Sequence, residues 1–191
     1  MGDEDHRMVY AAYLAMVELI DEAFGRILDA LEETGQAENT FVVFMSDHGE
    51  MLGDHGIYFK GPHFYDCALR VPLVVRWPGG GVIENLRAGG LVELLDLAPT
   101  MLDAAGLEVP ERVQGRSLMQ VLRGEADPSR IRSRVYSEYY NAWTHKHAYG
   151  TMLRTESEKI IVYHGTDQGE LYDLKADPDE FRNLWSEPQE E

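Results

Sequence analysis

From Tyr10 to Leu31 large apolar residues fall at Tyr10, Tyr13, Val17, Ile20, Phe24, Ile27 and Leu31. Steps of three and four place them on one face of a long amphipathic helix. Asp3 or Asp5 is positioned to cap its start, and Gly35, after Glu32-Glu33-Thr34, to stop it. The pattern lasts only about three heptads before it halts at a turn, so a helix packed on a sheet fits better than a coiled coil. Phe41 to Met45 follows as a continuous apolar run rich in β-branched and aromatic residues, as expected of a strand buried on both faces. Leu69 to Trp77 is a second such run; Pro72 sits near its beginning, where a missing N–H costs least, and Pro78 with three glycines ends it. Leu97 to Ala105 predicts a helix with Asp96 as its cap and Pro99 in the first turn, and Ser117 to Leu122 a shorter one closed by Gly124.

Beyond this point the pattern changes to short runs between turn residues. Val135 to Tyr140, Gly150 to Arg154, Lys159 to His164 and Glu170 to Leu174 predict the strands of a small antiparallel sheet. Asp177-Pro178-Asp179-Glu180 has the form of a cap with proline at the first helical position, predicting a terminal helix through Trp185. There is no internal repeat. The polar segment Gly124 to Arg134 divides the chain into an α/β part, residues 1–125, and a small antiparallel lobe with a terminal helix, residues 126–191. The expected fold class is therefore α/β.

Composition narrows the partners. With 191 residues, 44% of them apolar, the chain can build the core of one ordinary domain, with or without a small appendage. The single cysteine, Cys67, rules out an intrachain disulfide framework and a cysteine-based zinc site. Met1-Gly-Asp-Glu-Asp is acidic where a secretory leader would be basic, and His6 stands where a myristoylation signal needs Ser or Thr. No apolar run approaches the roughly 20 residues that span a bilayer. The expectation is a cytoplasmic chain with no membrane partner. Lys and Arg number 17 against 34 Asp and Glu, a net charge of -17 that repels nucleic acid phosphates, so no nucleic acid partner is expected. Most of this acidity makes a solubilising surface, yet a small anion can still bind at a local cation, because salt screens distant charge within about 8–10 Å.

The chemistry concentrates in one loop. Ser46-Asp47-His48-Gly49-Glu50 comes directly after the first strand, at its carboxyl end, where open α/β sheets gather ligands. A carboxylate and an imidazole side by side on a tight turn, with Gly49 permitting close backbone approach, can give two ligands to one divalent cation. The same pair is equally consistent with Asp47 capping a turn beside an ordinary loop histidine. Lys60, thirteen positions after Asp47 and followed by Gly61-Pro62, can place a point charge on a tetrahedral anion, although a lysine alone is more often a solvated surface group. His55 and His63 in the same loop are able to donate a proton to a leaving group or to touch an anion, or have no task at all.

The stretch NTFVVFMSDHGEMLGDHGIYFKGPHFYDCALRVPLVVRWPG resembles the sulfatase family of the alkaline phosphatase superfamily, particularly the branch of choline sulfatases and phosphonate monoester hydrolases. The resemblance continues through LVELLDLAPTMLDAAGLEVP and GRSL into GELYDLKADPDEFRNLW, nearly the whole chain. It implies a partial sulfatase-like sheet with packed helices. It also implies that Asp47 and His48 ligate a single divalent metal, that Lys60 contacts sulfate or phosphoryl oxygens, and that His63 and His55 are candidates for proton transfer. Members with Asn after the Asp resemble calcium enzymes and those with His include manganese enzymes, so the implied metal is manganese or calcium. The implied substrate is a small anionic ester: a sulfate ester, with phosphonate or phosphate esters as the alternative.

The family's formylglycine nucleophile arises from Cys or Ser in a C-x-P-S-R type motif upstream of the Asp-His loop, beside an earlier pair of metal-binding aspartates. Neither is in this chain, where the segment before Asp47 is taken up by the acidic start, the helix and the strand. Ala126-Asp127-Pro128-Ser129-Arg130 imitates the motif, but Ala replaces the nucleophile and the stretch follows the loop. Cys67 lacks the proline two places on and is expected to be a structural thiol. The chain thus has the form of the carboxyl-terminal portion of a sulfatase-like hydrolase, inactive alone, whose expected partner is a missing amino-terminal half or a second copy. A noncatalytic, self-associating module is the rival expectation.

Overall fold

The computed structural model describes residues 2–140 and 148–186. Helix α1 spans Asp3–Glu33. Its N-cap is Gly2 rather than either aspartate: Gly2 N–H donates to the Asp5 carboxylate at 2.9 Å, while Asp3, Glu4 and Asp5 occupy the first turn, where the helix dipole favours negative charge. At the other end Thr34 N–H closes on Ala30 O, and Gly35 turns away at φ +67°, as expected.

The expected docking of α1 on a sheet is only partly made. Phe24 meets Phe44 with ring centroids 5.0 Å apart, and Arg76 pairs with Glu32 at 2.7 Å. No residue of α1 is buried, and Tyr10, Val17, Ile20 and Ile27 of the predicted face remain exposed, as do Met8, Leu14, Met16 and Leu19. Strand β1 (Val42–Met45) runs antiparallel to β2 (Leu73–Arg76), with Val42 opposite Arg76 and Met45 opposite Leu73. Between them lies α2 (Asp66–Leu69), a single turn that reverses the chain into β2. All four β1 residues are half-buried, not covered on both faces as expected. The reason is the sheet itself, which has two strands among the described residues and so covers neither face of β1 fully.

Helix α3 (Leu97–Ala104) forms where its pattern predicts, and Asp96 precedes it, but the Asp96 carboxylate does not cap it. Fully buried, that carboxylate accepts from Glu93 N–H at 2.9 Å and Arg116 N–H at 2.8 Å and pairs with the Arg132 guanidinium. A buried charge needs several donors at once, and capping α3 would have supplied fewer. Thr100 Oγ donates to Asp96 O and accepts from Leu118 N–H, which ties in α4 (Met119–Leu122) before Gly124 ends it at φ +72°.

Strands β3 (Val135–Tyr140), β4 (Tyr149–Arg154), β5 (Glu158–Tyr163) and β6 (Gly169–Asp173) form an antiparallel sheet in sequential order, as the short runs between turn residues predict. The inward positions Met152, Lys159, Ile161 and Tyr172 are buried, and Phe64, from the loop between β1 and β2, completes their core with Leu174.

The predicted terminal helix is absent: 177–186 is irregular. Asp177 spends its carboxylate on Arg182 N–H, five residues on, and Glu180 adopts φ +60°, which no helix accommodates. Asn183 and Leu184 bond instead to β6, through Asn183 Oδ1 to Leu171 N–H and Leu184 N–H to Leu171 O. Pairing with a strand edge satisfies these backbone groups and outweighs the helical signal of Asp-Pro.

Candidate active site

The turn after β1 is held by side-chain-to-backbone hydrogen bonds. Ser46 Oγ donates to His48 O at 2.8 Å, and His48 N–H donates to Asp47 Oδ1 at 3.0 Å. Gly49 N–H donates to Ala68 O at 2.7 Å, so that this turn lies directly on α2. A Cβ on Gly49 would stand 1.9 Å from Cys67 O, and only glycine permits so close an approach.

This frame orients two donors. His48 Nδ1 is 2.9 Å from Gly49 O. A carbonyl oxygen only accepts, so the proton sits on Nδ1 and the lone pair is left on Nε2. Nε2 lies 3.7 Å from Asp47 Oδ2. Hydrogen bonding from His48 N–H, the largest cause, holds the Asp47 carboxyl below its ordinary range and therefore ionised. An imidazole lone pair fixed by a backbone carbonyl, next to an exposed carboxylate, is the donor arrangement that metal-binding histidines use. The pair fits a divalent cation as part of a ligand set. No group of three or more His, Cys, Asp or Glu able to hold a metal occurs among the described residues.

Asp47 and His48 line a cleft of about 1270 Å3 between β2 and the second sheet, shared with Asp66, Arg70, Arg87 and Arg154. Lys60, His55 and His63 do not line it. Lys60 is exposed and makes no ion pair with a described carboxylate. His55 and His63 are brought together on Tyr65: the His55 ring stacks on it at 3.8 Å, and His63 lies 6.4 Å from it. Burial, with Glu170 second, raises the Tyr65 phenol, so this ring is neutral. Cys67 lies against Met51, Sγ to Sδ 3.3 Å, and burial pushes its thiol up to about 11, which makes it a structural thiol and a poor nucleophile.

The anchor of the loop was missed in the sequence. Lys159 is fully buried on β5, where its Nζ donates to Asp66 Oδ1 at 2.6 Å and Phe64 O at 2.9 Å and pairs with Glu180. Arg154 holds the other Asp66 oxygen at 3.2 Å, and Asp66 N–H donates to Glu180 at 2.8 Å. The β-alternation that places Lys159 on the same face as Ile161 was the available signal.

A mixed α/β core, a four-stranded antiparallel sheet and an Asp-His pair at a strand end define a segment of the alkaline-phosphatase-like class. The chain belongs to the sulfatase family described as N-sulphoglucosamine sulphohydrolase, C-terminal, whose model matches residues 53–191. It is 40% identical over 182 residues to an N-acetylglucosamine-6-O-sulfatase of Bacteroides thetaiotaomicron, covering 91% of this chain and 31% of that one. It is 32% identical to arylsulfatase K of Bos taurus, covering 95% of this chain and 34% of the relative. A solved phosphonate monoester hydrolase from Silicibacter pomeroyi superposes with a TM-score of 0.87 at 33% identity, covering 98% of this chain and 38% of that one. The chain thus spans about a third of the length of the curated relatives it matches. The family implies a divalent metal, and no described helix is long and apolar enough to cross a membrane.

Proposed function

We propose that the chain supplies one wall of the active site of a metal-dependent sulfatase that hydrolyses sulfate esters. The observation that carries this reading is the placing of His48, whose Nδ1 meets the Gly49 carbonyl and whose Nε2 lies 3.7 Å from the ionised Asp47 carboxylate, with both residues lining one cleft. Asp47 and His48 are the metal ligands and the metal is manganese or calcium; when bound it polarises the ester oxygens as a Lewis acid. Lys60 as the group on the sulfate oxygens, and His63 or His55 as the proton donor to the leaving alcohol, rest on the family resemblance alone, since none of the three lines that cleft. The likeness to a phosphonate monoester hydrolase favours phosphonate or phosphate esters as the second substrate class. A reducing compartment such as the cytoplasm suits the free Cys67 thiol.

The open face of α1 and the half-covered β1 support an amino-terminal polypeptide, carrying the nucleophile, as partner. Two protein ligands make a weak site, so calorimetric titration with manganese is expected to show weak binding that Asp47→Ala abolishes. Unchanged binding in that variant would remove Asp47 from the site. The chain alone is expected to show negligible turnover of 4-nitrophenyl sulfate, with activity appearing when the nucleophile-bearing polypeptide is added; robust turnover by the chain alone would overturn the reading.

A further inference from the structure

The cleft that Asp47 and His48 line does not include Lys60, but it does include four arginines, Arg70, Arg76, Arg87 and Arg154. Two of these are already committed. Arg76 pairs with Glu32 at 2.7 Å, and Arg154 with Asp66 at 3.2 Å. Arg70 and Arg87 are exposed and make no ion pair among the described residues. Arg87 lies in the irregular stretch 82–93, which no helix or strand places against the Asp47 turn.

Arg70 is placed by the contacts that hold the turn itself. Its N–H donates to Asp66 O at 2.8 Å, closing α2, and the β1–β2 register, with Val42 opposite Arg76 and Met45 opposite Leu73, counts on to His48 opposite Arg70. The Gly49 N–H bond to Ala68 O keeps the two chains adjacent beyond the strand ends. Residues opposite one another in an antiparallel pair have Cα atoms about 5 Å apart, which is within reach of an arginine side chain. A guanidinium beside the Asp47-His48 pair offers two parallel N–H donors, matching two oxygens of one tetrahedral oxyanion, where an ammonium offers a point charge. We infer that Arg70, and not Lys60, holds the oxyanion of the ester in this cleft, through two of its oxygens. The inference rests on the ester reading above and changes the cation which that reading uses.

The test is NMR of the isotope-labelled 191-residue chain, following the Arg70 Nε–H signal and the backbone signals of Asp47, His48 and Gly49. The probe is methyl sulfate, added with and without calcium, against sodium chloride at equal ionic strength. Methyl sulfate is expected to shift these signals saturably, and chloride is not. Arg70→Ala should weaken the response roughly tenfold, and Arg70→Lys, which keeps the charge without the fork, about threefold. Lys60→Ala and Arg87→Ala should bind like the parent. Because the Arg70 side chain is exposed, both of its variants should keep the parent's urea midpoint. No saturable shift in the parent, an Arg70→Ala chain that binds like the parent, or a loss confined to Lys60→Ala would overturn the assignment. So would a urea midpoint that falls with binding in both Arg70 variants, which would make Arg70 structural. An Arg70→Lys chain equal to the parent would overturn the two-oxygen contact. A response that needs Arg70 but ignores calcium supports the assignment and counts against Asp47 and His48 as metal ligands instead.

Discussion

Two backbone-directed contacts decide what the Asp47 turn can do. The Gly49 carbonyl assigns the proton of His48, and the absence of a Cβ at Gly49 lets the turn rest on Cys67 and Ala68. Gly49→Ala forces a methyl into a carbonyl oxygen, a clash of the overpacking kind, and is expected to cost roughly 1–3 kcal/mol in a denaturant melt. The neighbouring Cys67 gives a pH prediction. Its folded pKa of about 11 stands above the ordinary 9.0, so burial favours the neutral thiol. The stabilisation this represents is present below pH 9 and is lost as pH rises from 9 through 11. The folded thiol therefore holds far less thiolate at pH 8 than the unfolded one, and iodoacetamide should label the folded chain roughly tenfold more slowly than the urea-unfolded chain, because the greater nucleophilicity of a high-pKa thiolate offsets part of its scarcity. Equal rates in the two states would contradict the burial.

Among elements, the buried cation on β5 is what connects the second sheet to the loop. Lys159 faces two carboxylates, Asp66 and Glu180, and removing it leaves Glu180 buried without its counter-charge and Asp66 with Arg154 alone. Lys159→Met is therefore expected to destabilise by about 3–5 kcal/mol, measured as a lowered urea midpoint. A loss below about 1 kcal/mol would mean that water already compensates those carboxylates. This scale also marks how much was legible in advance. The sheet β3–β6 and helix α3 were legible because alternation and helical spacing report local burial. The terminal helix was misread because Asp-Pro is a local signal, whereas the fate of Glu180 is set by a lysine on another element. Asp96 misled in the same way, its carboxylate drawn off to Arg116 and Arg132. The Asp47-His48 adjacency could be read from the chain itself; the tautomer, the packing on Cys67 and the grouping of two histidines on Tyr65 depend on tertiary contacts that spacing does not encode.

For the molecule as a whole, the uncovered surface matters most. Eight large apolar residues of α1 are exposed, including Met16, Leu19 and Ile20, beside a two-stranded sheet that is open at both edges among the described residues. Surfaces of this kind seek a partner. Alone, the chain is expected to associate with itself in a concentration-dependent way. Leu19→Glu with Ile20→Glu should shift size-exclusion light scattering to the monomer mass while leaving the Lys159 cluster intact. A parent chain that is monomeric at every concentration would show that this face needs no cover.

The cluster at Lys159 also sets an order of events during synthesis. Lys159 and Asp66 are 93 positions apart, and Asp66 and Glu180 are 114 apart. Contacts so distant close late, after local turns have formed. A nascent chain therefore lacks the Lys159 anchor of its Asp47 to Asp66 loop until β5 has emerged, and the Glu180 contribution to it until later still. A chain cut just before Glu180 would keep Asp47, His48, Lys60 and the loop histidines, yet lose one of the two carboxylates on Lys159 and the acceptor of the Asp66 N–H.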